Sequence, residues 1–185
     1  YMQSVSDEVK RLSRLVRSML DISRLKATGE ALQKSRFDVT EALGRTLLTF
    51  EQKIEDKHLD VQVNMPEKAV WVMANEDAIT QVIYNLIDNG VKFAQDGSPF
   101  LLTVSTAGGK ALVSVADTGP TIPPEELPLV FDRFHKSDKS RSLDKDGVGL
   151  GLYIVKTILG SHGEDITVTS RDGVTTFTFT LALAK

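Results

Sequence analysis

From Val5 to Leu25, the apolar residues Val5, Val9, Leu12, Val16, Met19, Ile22 and Leu25 recur at spacings of three and four. The positions between them are mostly Arg, Lys, Ser and Asp. This pattern predicts one long amphipathic helix over residues 1–28 with a narrow, coiled-coil-like seam. Such a seam is covered either by a partner helix or by the chain's own globular body. The run Ala27-Thr28-Gly29-Glu30 breaks the period, so residues 29–36 read as a linker and 37–185 as a separate globular unit.

In that unit, Asp38 or Thr40 can cap a helix carrying Leu43, Leu47, Phe50 and Ile54. Leu59 to Val63 alternates apolar and polar as a half-buried strand does, and Val70 to Met73 is a second short strand. Asn75-Glu76-Asp77 supplies a cap and first-turn acids for a long helix running to about Ala94. Strands at Phe100–Thr106 and Ala111–Ala116 flank the turn Ala107-Gly108-Gly109-Lys110. An irregular stretch from Asp117 to Gly147 contains a helix start at Pro123-Pro124. A helix from about Val148 to Ser161 follows, then strands Ile166–Ser170 and Thr175–Leu183 around Arg171-Asp172-Gly173. Strands in hairpins with helices between them indicate an α+β protein. The expected form is a two-layer α/β sandwich, its mixed, mostly antiparallel sheet covered on one face by helices.

Composition narrows the chemistry. The 185 residues are 41% hydrophobic and 25% charged, the profile of a globular protein with a sizeable core. With no cysteine, disulfides, thiolate nucleophiles and Cys-ligated metals are excluded. A net charge of −3 argues against a general nucleic-acid or anionic-membrane binder. No apolar run reaches the length of a membrane span. The opening Tyr1-Met2 leads straight into helix-like sequence, so the chain reads as a fragment of a longer parent.

Three segments have the residue types of a nucleotide site. On the long helix, Ile79, Val82, Ile83, Leu86 and Gly90 form a core face, while Asn85, Asn89 and Lys92 share another stripe at i, i+4 and i+7. Asparagines inside a helix are locally unfavourable, so a compensating role is expected. An amide oxygen ligates Mg²⁺ without adding negative charge beside a triphosphate, and a lysine meets a phosphate oxygen as a point charge. A solvated polar face with two incidental asparagines would look the same. Asp117 directly follows an apolar strand. A carboxylate there accepts from an exocyclic amine such as adenine N6, with Gly119 allowing close backbone approach; an ordinary turn is the bland alternative. Gly147, Gly149 and Gly151 alternate into an apolar helix, offering backbone amides to phosphates. They match neither a P-loop nor the dinucleotide fingerprint. Between these segments, Val130 to Lys145 carries Phe131, Phe134 and a mixed-charge run, the composition of a lid or of a plain surface loop.

These segments, in this order, resemble the catalytic ATP-binding domain of the sensor histidine kinases of two-component systems. Asn85-Leu-Ile-Asp-Asn89-Gly-Val-Lys-Phe resembles that family's N box, Asp117-Thr-Gly119 its first glycine box, Phe131-Asp-Arg-Phe134 its F box, and Gly147-Val-Gly-Leu-Gly151 its second glycine box. The match runs from about Phe37 to the C-terminus. It implies the Bergerat ATP-binding fold, shared with gyrase, MutL and the heat-shock chaperone of similar architecture. It also implies roles. Asn89 would ligate Mg²⁺, with Asn85 assisting at the metal and phosphates and Lys92 on phosphate. Phe93, where the family often has Tyr, would pack on the base. Asp117 would bind the adenine amine, with Gly119 and Ile122 beside it. Phe134, Lys136, Gly147, Val148, Gly149, Leu150 and Gly151 would line the lid and phosphate end. Pro120-Thr121 stands where a second glycine is common, so the detailed lid geometry need not follow the family's.

By the same resemblance, residues 1–28 are the second helix of a dimerisation hairpin whose first, histidine-bearing helix lies outside this chain. None of His58, His135 and His162 has the acidic context of a phosphoacceptor; His162 is expected to complement a helix C-terminus. The implied activity is ATP-dependent histidine phosphorylation in a phosphorelay, with no autophosphorylation by this fragment alone. The implied partners are the phosphoacceptor helix, a response regulator and a second copy in the parent. The implied location is a cytoplasmic domain of a membrane-anchored parent. Two alternatives share the fold: a nucleotide-sensing adaptor without catalysis, and a Bergerat-type ATPase. ATPases of that kind use a catalytic Glu on this helix, and position 85 is Asn. The tripeptide Asp117-Thr-Gly119 also occurs in aspartic proteases, which need two such carboxylates.

Overall fold

A computed structural model describes residues 33–133, 135–136 and 149–185. Of the first 32 it describes Val5, Ser6, Val9, Lys10, Ser13, Val16, Arg17 and Leu20, each helical and exposed. Phe134, Gly147 and Val148 lie outside the described residues, as does most of the predicted leading helix.

Strand β1 (Ser35–Asp38) is followed by helices α1 (Val39–Leu48) and α2 (Glu51–Asp56), strands β2 (Asp60–Asn64) and β3 (Trp71–Ala74), and the long helix α3 (Glu76–Phe93). The hairpin β4 (Pro99–Ala107) and β5 (Lys110–Thr118) comes next. Beyond it lie a 3₁₀ turn at Leu127–Leu129, helix α4 (Gly151–Ser161), and the hairpin β6 (Ile166–Arg171) and β7 (Val174–Ala182). Five strands form one sheet in the order β2-β4-β5-β7-β6, antiparallel except for the parallel pair β2–β4. A two-stranded ribbon, β1–β3, meets it through the Val72–Leu183 bridge.

The caps act as expected: the Asp38 side chain accepts from Thr40 N, and that of Asn75 from Ala78 N at 2.9 Å. Phe100, Leu102, Val113, Val115, Phe177 and Phe179 fill the inner face of the sheet against Ile79, Val82, Ile83, Leu86 and Val155 of the helices. At Gly90 the approach is close, since a Cβ there would stand 2.6 Å from the Phe100 ring. A side chain at 90 would push the long helix off the sheet.

The structure corrects several local expectations. Ser35 and Arg36, assigned to a linker, lie in a strand and pair with Ala74 and Met73, 39 and 37 residues away in sequence. The single helix expected through Ile54 is two, because Phe50 leaves helical geometry (φ −101°, ψ 6°) to bury its ring against Tyr84. Pro123-Pro124 opens only a turn leading to the 3₁₀ segment. The strand holding Asp117 runs on through Thr118, so Asp117 is inside the sheet.

Candidate functional site

Helix α3 lies across the inner face of the sheet, and its Asn85, Asn89, Phe93 stripe connects two clusters. At one end the Asn85 amide donates to the Gly151 carbonyl at 3.0 Å and accepts from Gln81 at 2.7 Å. Asn85 is thus beside the first residue of α4, and Asn89 follows one helical turn further on. Leu150 is buried and anchors that start, and Gly149 has φ +73°, a left-handed conformation that a side chain would strain. Gly151 has open space around its missing side chain.

Eight residues beyond Asn85, about 12 Å along the axis, α3 ends against the second cluster. A Cβ on Gly119 would overlap the Phe93 carbonyl oxygen and lie 3.6 Å from the Asp117 carboxylate. The glycine is therefore required by the protein's own backbone. Asp117 alternates with Val113 and Val115, pairs across the sheet with Phe100 and Thr175, and so points inward, where it is 5% exposed. Burial raises its pKa to about 7, opposed by the nearby positive charge of Lys57 and by a backbone hydrogen bond.

Lys57 was not singled out from the sequence. Its ammonium donates to the carbonyls of Val91 (2.7 Å) and Lys92 (3.1 Å) at the C-terminus of α3, a common use of lysine at a helix end. Burial lowers its pKa, against the raising influence of Asp96 and Asp117. No period marks it, because Glu55-Asp56-Lys57-His58 reads as plain charged sequence.

The other predicted residues divide. The ammonium of Lys92 pairs with Asp88 at 3.1 Å. Ile122 donates its N–H to Ser170 Oγ, and Thr121 Oγ1 accepts from Gly173 N, each at 2.8 Å. With Gly119 N donating to Gly173 O at 2.7 Å, the Pro120-Thr121 departure is stitched onto the β6–β7 turn. Lys136 is half-buried, next to His135. Phe131 of the F box packs edge-on to Phe177, and Arg133 stacks on Tyr153 of α4 while donating to its hydroxyl at 2.8 Å. His162 does complement a helix end: Nδ1 bonds the Ile158 carbonyl at 2.8 Å. It also bridges helices, since Asn75 N, at the cap of α3, donates to its Nε2 at 3.1 Å.

One face of α3 thus joins a glycine-shaped helix start to a buried carboxylate, and no group of three His, Cys, Asp or Glu gathers among the described residues. Residues 74–185 match the family model for histidine kinase-, DNA gyrase B- and HSP90-like ATPases. The chain belongs to that family. Within it, the chain is a histidine-kinase ATP-binding domain. It is 37% identical to sensor protein SrrB of Staphylococcus aureus over 181 residues, 98% of this chain. It spans 31% of that protein's length. A structure of full-length ShkA in complex with AMPPNP superposes with a TM-score of 0.83 at 27% identity, covering all of this chain and 39% of that one. Histidine kinase ThkA in complex with response regulator protein TrrA gives a TM-score of 0.80 at 25% identity, covering all of this chain and 51% of that one. The two-layer fold expected from the sequence is the fold of these kinases. No described helix is long and apolar enough to cross a membrane.

Proposed function

We propose that this histidine-kinase domain binds Mg-ATP along the Asn85–Asn89–Phe93 stripe, adenine at Asp117 and phosphates at the start of α4, and offers the γ-phosphate to a histidine from outside these 185 residues. The observation that carries the reading is the pair of junctions at either end of one helix face: Asn85 on the Gly151 carbonyl, and Phe93 against Gly119 beside Asp117. The ionised Asp117 is an acceptor for the exocyclic amine. Ile122 borders the purine, and Phe93 lies against its face.

At the other end, Gly149 and Leu150 direct the backbone into α4, whose first amides face the phosphates. Lys92 reaches a phosphate oxygen by leaving Asp88, an exchange between two partly exposed partners that costs little. Phe134, Lys136, Gly147 and Val148 complete the lid in this reading. Half-buried amides on a helix, with no cluster of three acids among the described residues, suit a hard cation that takes most of its oxygens from the triphosphate and water. Asn89 is the proposed Mg²⁺ ligand and Asn85 its neighbour. The ion's contribution is to neutralise charge on the transferring group. The protein supplies alignment, holding the triphosphate while the external imidazole attacks in line.

The exposed seam residues Val5, Val9 and Val16 fit a homodimer in the parent, with residues 1–28 as the dimerisation helix. A response regulator is the downstream partner, and the parent is anchored in a membrane with this domain on its cytoplasmic side. Calorimetric titration of Asn89→Ala with a non-hydrolysable ATP analogue tests the core of the reading. The Mg²⁺-dependent part of the affinity disappears while the thermal midpoint stays put; unchanged affinity in Mg²⁺ refutes the metal role.

A further inference from the structure

The structure assigns to Lys57 a role in purine selectivity: its ammonium, fixed on the last carbonyls of α3, keeps the Asp117 side chain an acceptor and so favours adenine over guanine. The inference rests on the proposed adenine contact of Asp117.

Lys57 is held from both sides, by its Nζ on Val91 O and Lys92 O and by its own carbonyl, which accepts from Gly97 N at 2.8 Å. The loop that grips it also ties to the strand of Asp117, since Gln95 N donates to Thr118 O at 2.7 Å. One residue past Lys92, the Phe93 carbonyl abuts Gly119, itself next to the Asp117 carboxylate. The ammonium is therefore set at the same helix end that closes over Asp117. The neighbours of Asp117 within the sheet, Phe100 and Thr175, carry no charge. From the surrounding loops the charges that matter are Lys57, which favours ionisation, and exposed Asp96, which acts on Lys57.

The chemistry follows from what each protonation state offers. Adenine presents an amine donor at N6, where guanine has an O6 acceptor. An ionised carboxyl accepts from the first and repels the second, but a protonated one donates to O6. Burial pushes Asp117 to about pKa 7, so the choice between these states is balanced near neutrality. A positive charge tips it towards the acceptor. Lysine on helix-end carbonyls alone would be ordinary capping, and that role is blind to pH and to the base.

Titration of the 185-residue chain with Mg-ADP and Mg-GDP from pH 6 to 9 separates the two. For Lys57→Gln, whose amide can still donate to one carbonyl, ADP affinity at pH 7 falls about five- to tenfold and the pH midpoint of binding moves up by about one unit. The ADP-to-GDP ratio narrows by a similar factor, and Lys57→Arg restores both. Lys57→Met behaves like the Gln variant; should it fail to fold, the Gln variant is the one read. Wild-type midpoint and selectivity in a folded Lys57→Gln overturn the inference. Asp117→Asn tells the two levels apart. If it loses ADP binding while Lys57→Gln does not, only the role of Lys57 falls; if the wild type binds no ADP, the site reading and this inference fall together.

Discussion

The two ends of helix α3 are built on different principles. At the Phe93 end, the groups are fixed in advance: Asp117 is buried, Gly119 abuts the helix carbonyl, Lys57 caps the helix, and residues 119–122 are sewn to the β6–β7 hairpin. At Asn85 and along the polar stripe that runs from it to Lys92, the polar groups are partly exposed and engaged with one another, Asn85 with Gln81 and Gly151, and Lys92 with Asp88. A fixed, weakly solvated carboxylate discriminates among bases, because a mismatched group there has no water to turn to. Exchangeable surface pairs suit phosphates, whose charge attracts any cation that can swing round. In the proposed site, a rigid reader of the base is thus joined by one helix to an adjustable clamp for the phosphates.

Asp117→Asn strains that contrast most. In calorimetry it lowers adenine nucleotide affinity by about a hundredfold, from the loss of a hydrogen bond to a charged group. It also stabilises the empty protein. A carboxyl raised to about 7 in the fold adds stability below about pH 4, and that contribution is lost progressively as pH rises towards 7. The neutral amide avoids the loss, so its thermal midpoint exceeds that of wild type above pH 7. An unstabilised variant would mean that Asp117 is not held unfavourably. In wild type, ADP affinity rises about tenfold from pH 6 to pH 8, following ionisation of a group near 7.

Gly119→Ala comes next. Its Cβ meets the Phe93 carbonyl, so denaturant titration shows a destabilisation of about 2 to 3 kcal/mol. A tolerated alanine would mean that the Phe93 end is not rigid. The smallest effect is expected on the partly exposed polar stripe. Asp88→Ala frees Lys92 from a partly exposed pair, raising nucleotide affinity roughly two- to fivefold with stability changed by less than about 1 kcal/mol. A large loss of stability there would show that the phosphate end is as fixed as the other.

What could be read in advance was local. The period of Ile79, Val82, Ile83 and Leu86 set the buried face of α3, the Asn75 cap set its start, and the i, i+4 spacing put Asn85 and Asn89 on one stripe. The apolar run before Asp117 marked its strand, but that the residue lies within the sheet, on the inner face with Val113 and Val115, came only from the strand's continuation through Thr118. Backbone geometry and side-chain periodicity decide such features within a few residues. The remainder depended on segments far apart in the chain. Lys57 meets carbonyls 34 and 35 residues on, β2 joins β4 in parallel, His162 ties α4 to the cap of α3 across 87 residues, and Thr121 reaches a turn 52 residues away. Nothing in a lysine's immediate neighbours says which helix end it will face; that is decided when the layers close and every buried carbonyl must find a donor.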